Sequence, residues 1–326
     1  MKAPDPSAVL PDRLLSRMRS DLVHTFSGER DAGVPQWQLD LEQGDDAGYF
    51  AHDSATWAVH GSMATVAAGI RALLVQALHP GALAGVAEHS DYRADPLQRL
   101  AGTIRWIFSV TYGSTATARQ ACSYVRRLHV PVRGHYQDAA GEMRRYSAND
   151  PHLAEWVHLA FTDAFLSAYE DFIGPVPAGG GGSGDGADDY VREWSVAGSL
   201  MGVQHPPTTR RQLKDRMQSF DDDGELAGGD RVTEVLGFLR SPPLPGRLDW
   251  GYRALFAAVV DTLPARYRQL LGLRGTPVPR LTRAGGRATL AVVGAALSGP
   301  GPSELAARRR LVRLGVLSVA NAVPGR

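Results

Sequence analysis

The sequence predicts an all-α protein built as a single helical domain, on three observations. Apolar residues recur at three- and four-residue steps, proline preceded by an acidic residue punctuates the stretches they form, and alternating apolar–polar runs are scarce. With 326 residues, 44 % of them hydrophobic, the chain can bury a substantial core without disulfides or a partner.

Residues 1–50 mix charge, proline and glycine with an amphipathic piece at 14–26, and they read as a peripheral N-terminal arm. From 55 to 78, Val59, Met63, Val66, Ile70, Leu73, Leu74 and Leu78 keep helical spacing. His79-Pro80-Gly81 ends that stretch, because a residue before proline is pushed away from helical geometry, and a second helix is expected from 80 to about 88. Asp95-Pro96 supplies an N-cap and a first-turn proline, after which Leu97, Leu100, Ile104, Ile107 and Phe108 continue an apolar stripe. That helix carries Arg99 and Thr103, four positions apart and hence on one face. A helix over 115–128 runs to the turn at Val130-Pro131. Asn149-Asp150-Pro151 opens the clearest long helix, with Leu153, Trp156, Val157, Ala160, Phe161, Ala164 and Phe165 at helical spacing. The glycine-rich 178–188 stretch reads as a flexible loop. Helices resume over 189–201, 208–219, 230–239, 252–263 and 264–271. Apolar pieces at 288–297 and 305–319 then form a C-terminal helical extension, so the chain divides into 1–50, 51–275 and 276–326.

Lys+Arg 35 against Asp+Glu 34 leaves a formal charge of +1, which gives no field to gather nucleic acid or anionic lipid. Cys122 is the single cysteine, excluding an intrachain disulfide, an iron–sulfur cluster and a thioether-linked haem. The first fifteen residues contain no apolar run of the secretory kind, and the longest apolar stretch, 62–78, is interrupted by Arg71 and Gln76. These features predict a cytoplasmic protein with no integral membrane segment.

Ten histidines are candidates for chemistry. An arbitrary histidine is more often a hydrogen-bonded or exposed side chain than a ligand, and that reading covers His24, His52, His60, His135, His152 and His205. His129 differs in setting, because it closes an amphipathic helix and can face the core from a rigid element. Glu155 and His158 form an E-x-x-H pair, half of the ligand set of a di-iron carboxylate bundle, but no second such pair accompanies it. The bland reading of Arg99 and Thr103 is a solvated guanidinium and a hydroxyl bonded back to a carbonyl. No nucleophile elbow, phosphate-binding loop, dinucleotide fingerprint or H-E-x-x-H stands in its required context.

One ordered set of motifs goes further. It comprises Gly69-x-Arg71-x3-Val75-Gln76-x2-His79-Pro80, then Val86-x2-His89-Ser90-x-Tyr92-x2-Asp95-Pro96-x2-Arg99-Leu100-x2-Thr103, Tyr112-Gly113 and His129-x2-Val132-x-Gly134. It continues through Tyr146-x-Ala148-x-Asp150-Pro151-x-Leu153-x2-Trp156-Val157-His158 and closes with Leu263-Pro264-x-Arg266-x-Arg268-x3-Gly272-Leu273. In this order the set resembles the latex-clearing (rubber oxygenase) family and its relatives, the mycophenolate-pathway-type oxygenases, over roughly residues 55–275.

The resemblance implies a globin-reminiscent helical core around a non-covalent haem b, with His129 as the proximal iron ligand. It implies that Arg99 and Thr103 lie at the haem, on its distal side, as binding and catalytic residues, and that His79 and His158 pack behind the ligand, bonded to each other or to backbone. Rubber-cleaving members use a carboxylate as a base; Glu88 is the nearest acidic residue here, and the local match does not assign it that role. Gly102 beside Thr103 leaves this helix without a distal lysine. The expected activity is therefore oxygenation by O2 of a small apolar unsaturated molecule rather than of polyisoprene. The alternatives are a haem carrier or sensor without turnover and a non-haem di-iron oxidase built on Glu155 and His158.

Overall fold

Helical spacing in the sequence becomes helix in the computed structural model, which describes residues 34–89, 96–180, 184–244, 246–297 and 299–321. The amphipathic piece at 14–26 and the Asp95 cap lie outside the described residues. After a single turn, α1 (Gln36–Leu39), the stretch expected as one helix over 55–78 is two, α2 (Ala55–His60) and α3 (Ala64–Gln76). The interruption is held locally: the Ser62 hydroxyl donates to the Val59 carbonyl at 2.8 Å, and Thr65 donates back to the Ser62 carbonyl at 2.9 Å. These short side chains compete with the helical ladder at the point where it breaks. α4 (Pro80–His89) then turns away from α3 by 107° at the His79-Pro80 junction.

α5 (Pro96–Tyr112) and α6 (Thr115–His129) fold back on each other about Gly113-Ser114, where the Ser114 hydroxyl caps α6 by accepting from the Thr117 amide. An antiparallel hairpin that the all-helical expectation does not contain follows, β1 (Arg133–Gln137) and β2 (Met143–Ser147), with Gly134 opposite Tyr146. Its strands are short and mostly exposed, so apolar alternation does not mark them; only Tyr146 is buried. The domain remains predominantly helical.

α7 (Pro151–Phe172) begins as the sequence predicts, with the Asp150 carboxylate accepting from the His152 and Leu153 amides and proline in the first turn. α8 (Gly186–Met201) starts earlier than expected. Gly186 lies so close to the preceding strand of chain that a Cβ would fall 2.0 Å from the Val176 carbonyl oxygen. The described part of the glycine-rich loop is docked rather than free, since Gly179 donates its amide to Asp189 at 3.2 Å. α9 (Arg210–Asp222), α10 (Asp230–Arg240), α11 (Gly246–Thr262), α12 (Ala265–Leu270), α13 (Pro279–Leu297) and α14 (Pro302–Arg313) complete the fold.

The core is organised on α3 against α7, with α8 beyond, and α11 pairs with α13. Trp156, Leu159, Phe161 and Phe165 of α7 bury against Leu74 and Val75 of α3 and against Tyr190 and Trp194 of α8. Each such side chain contributes about 1.5–3 kcal/mol by leaving water. Two buried arginines tie the layers together. Arg71 of α3, 4 % exposed, pairs with Asp163 of α7 at 3.0 Å and donates to the Thr262 carbonyl of α11 at 3.0 Å. Arg310 of α14 is fully buried and donates to the carbonyls of Leu41, Ala47 and Tyr112, which joins the N-terminal described segment, the end of α5 and α14 through one side chain.

Candidate functional site

The two-residue turn between α5 and α6 sets their register, so Arg99 near the start of α5 and His129 at the end of α6 share one end of the helix pair. His129 is part-buried, and burial lowers its pKa below that of a free imidazole; the positive charge of Arg99 lowers it further. A helix C-terminus favours a cationic imidazole by about 0.3–1 kcal/mol. Desolvation and Arg99 act against that pull and favour the neutral ring, whose lone pair can bind a metal.

Thr103 is exposed and its hydroxyl donates to the Arg99 carbonyl at 3.2 Å, the back-bonded arrangement of a threonine within a helix. His158 of α7 is 8 % exposed, and burial lowers its pKa to about 4. Its Nε2 has no hydrogen-bond partner among the described residues. One turn along α8 from Gly198, which packs on the His158 ring, Gly202 lies beside the Arg126 guanidinium of α6. The chain of contacts thus leads from His158 toward the end of the helix that carries His129.

His79 is placed elsewhere. Its Nδ1 accepts from the Gly81 amide at 3.1 Å, which puts the proton on Nε2, facing the Glu225 carboxylate at 3.5 Å. The same carboxylate meets His152 at 2.8 Å, and hydrogen bonds from His79 and then from His152 keep Glu225 below the ordinary carboxylate range against the opposing effect of burial. His79 and His158 therefore each have their own surroundings and do not bond each other. Glu88 is engaged by the Tyr146 hydroxyl at 2.8 Å and by Arg231 at 3.2 Å. Glu155 is ion-paired with Arg216 of α9. Among the described residues no three His, Cys, Asp or Glu side chains converge as a metal site.

His60 is a core histidine with a full set of partners, its Nδ1 2.7 Å from the Thr111 hydroxyl and its Nε2 3.1 Å from the Tyr190 hydroxyl. Phe165 and Trp194 meet its ring edge-on, and desolvation depresses its pKa to about 3. Glu225, Arg216 and Arg310 escape sequence reasoning because their partners lie far along the chain. Two open cavities, of about 370 and 360 Å³, are not lined by Arg99, Thr103 or His129; one is bounded by α11 and the 271–276 loop, the other by α2 and α14.

The helical fold together with the ordered motifs defines a catalytic domain of the oxygenase class. Residues 57–295 match the family described as the catalytic domain of the ER-bound oxygenase mpaB/B′ and rubber oxygenase, and the chain belongs to that family. Comparison with curated proteins and with solved structures gave no match. Among the described residues no single helix is long and apolar enough to cross a membrane.

Proposed function

We propose that the protein is a haem b-dependent oxygenase that uses O2 to cleave, or insert oxygen into, a carbon–carbon double bond of a small apolar substrate. Family membership supports the oxygenase class. The observation that carries the haem reading is a part-buried imidazole at the end of a helix, His129, whose protonation both burial and the charge of Arg99 disfavour.

The donor set suits the group. A neutral imidazole on a rigid helix is the commonest axial ligand type for haem iron, and a nearby arginine can neutralise a propionate. Haem, when bound, supplies the redox chemistry that makes O2 reactive. The chain's own contribution is positional. His129 would hold the group through its unprotonated nitrogen, a form that burial and the charge of Arg99 favour, and the Arg99 guanidinium would pair with a propionate. The Thr103 hydroxyl, bonded to the Arg99 carbonyl, would be a polar group one turn along the helix from that charge. Trp106, three residues after Thr103 on α5 and packed edge-on to Phe161 and Trp194, would offer an unsaturated hydrocarbon an apolar surface.

Titration of the purified protein with hemin tests the reading. A Soret band saturating at one equivalent, lost or weakened at least tenfold in His129→Ala, supports it, and O2 uptake with unsaturated terpenoid and lipid substrates then tests turnover. Unchanged haem occupancy in His129→Ala, or iron without porphyrin in protein isolated from cells, overturns it. Stable haem without turnover across that panel leaves a carrier or sensor in its place.

A further inference from the structure

We infer that the cleft between α10, α11 and the 271–276 loop binds a single-chain amphiphilic anion, with a carboxylate or phosphate headgroup on Arg240 and Arg274 and its hydrocarbon on Phe256, Val260 and Leu273. The cleft encloses about 370 Å³, within the size range of small-ligand sites. Its lining divides by chemistry. Phe256, Val260 and Leu273 form an apolar floor that belongs to the buried core, and Ala257 extends it. Arg240, the last residue of α10, and Arg274, in the loop after α12, complete the lining.

What distinguishes these two arginines is that they share one cleft with no carboxylate on either among the described residues. Arg71, Arg210, Arg216 and Arg266 each sit on a carboxylate. Arg240 and Arg274 line one cleft, and neither has an ion pair or hydrogen bond among the described residues. The acidic residue nearest the loop, Asp261, is already engaged, accepting from both the amide and the hydroxyl of Thr276. That grip folds the loop over the end of α11 and leaves the two guanidinium groups as the uncompensated charge of the cleft. Planar guanidinium groups suit carboxylate and phosphate, to which they donate paired hydrogen bonds.

Neither half of the lining suffices alone. An exposed guanidinium in water gains little from an anion, so a free inorganic anion is held weakly. The small apolar floor likewise gives a neutral hydrocarbon only a shallow seat. A ligand carrying both properties on one short chain satisfies the whole lining, and this site is separate from the residues assigned to oxygen chemistry.

Calorimetric titration with decanoate and decyl phosphate below their micelle-forming concentrations tests the inference, with decanol and inorganic phosphate as probes that carry one property each. The expected result is one-to-one binding of both amphiphiles, at least tenfold tighter than either single-property probe. Arg240→Ala/Arg274→Ala should weaken it at least tenfold while the melting temperature stays unchanged, since both side chains are exposed. His129→Ala should bind decyl phosphate as the unaltered protein does; parallel loss there would move the ligand to the other site and overturn the inference. It is equally overturned by unchanged affinity in the arginine variant, by decanol or inorganic phosphate matching the amphiphiles, or by co-sedimentation with phosphatidylglycerol vesicles without binding of dispersed decyl phosphate.

Discussion

Gly198 of α8 lies against the imidazole of His158 on α7 so closely that a Cβ at position 198 would fall 2.9 Å from Cε1 and Nε2 of the ring. The ring is fixed in the core by α7, so it cannot swing into solvent to make room. Gly198→Ala should therefore overpack this contact and lower stability by about 1–3 kcal/mol in urea denaturation. A loss no larger than a few tenths would show that the ring moves freely.

Arg71 should be among the costliest single residues to remove. Arg71→Met leaves the Asp163 carboxylate and the Thr262 carbonyl without their donor in a mostly buried setting. The expected loss is about 3–5 kcal/mol, the cost of stranding one member of a buried pair. Arg71→Met/Asp163→Leu, which removes both charges, should recover a large part of it, and a double variant as unstable as the single one would refute the assignment.

Acid should unfold the protein through its core histidines before most carboxylates titrate. Burial depresses His60 to about 3 and His158 to about 4, from 6.5 for the free ring. A histidine whose folded pKa lies below its unfolded value binds a proton more readily in the unfolded chain. Stability from keeping these rings neutral is therefore fully present above about pH 6.5, the reference value for histidine, and declines as pH falls toward the folded values. Each ring should contribute about 1 kcal/mol per pH unit across that window. Denaturation curves at pH 7.5, 6.0 and 5.0 read the slope, and a flat profile over this range would contradict neutral burial.

Arg99→Ala should move the His129 titration upward, because it removes a neighbouring positive charge while leaving the larger desolvation effect in place. Carbon-bound proton resonances of the imidazole, followed by NMR against pH in the haem-free protein, measure the shift. An unaltered midpoint would mean that the guanidinium does not act on this ring.

The helices were readable from their punctuation wherever a cap and a proline coincide, as at Asp150-Pro151. The division of residues 55–78 was not, because Val59, Met63 and Val66 keep the helical period across a break made by the local bonds of Ser62 and Thr65. The β1–β2 hairpin hides for the opposite reason. Its exposed polar strands carry no apolar pattern, and its available signal was the turn at Asp138, whose carboxylate accepts from the Ala140 and Glu142 amides beside the positive-φ Gly141. At the candidate site, the nearness of Arg99 and His129 follows from a helix pair joined at Gly113-Ser114, with the two residues at similar distances from the turn. The pairing of Glu225 with His79 and His152 had no such local ruler, since it depends on how the segment after α9 returns to the start of α7.

Arg310 gives the fold a direction in time. During synthesis the helices that bear Arg99, His129 and His158 leave the ribosome well before α14, yet the carbonyl of Tyr112, at the far end of α5, receives its guanidinium donor only from α14. The base of the α5–α6 hairpin is already tied to earlier segments, Thr111 to His60 and Thr115 to Asp46, so what waits for α14 is the buried side chain that joins the two ends of the described chain.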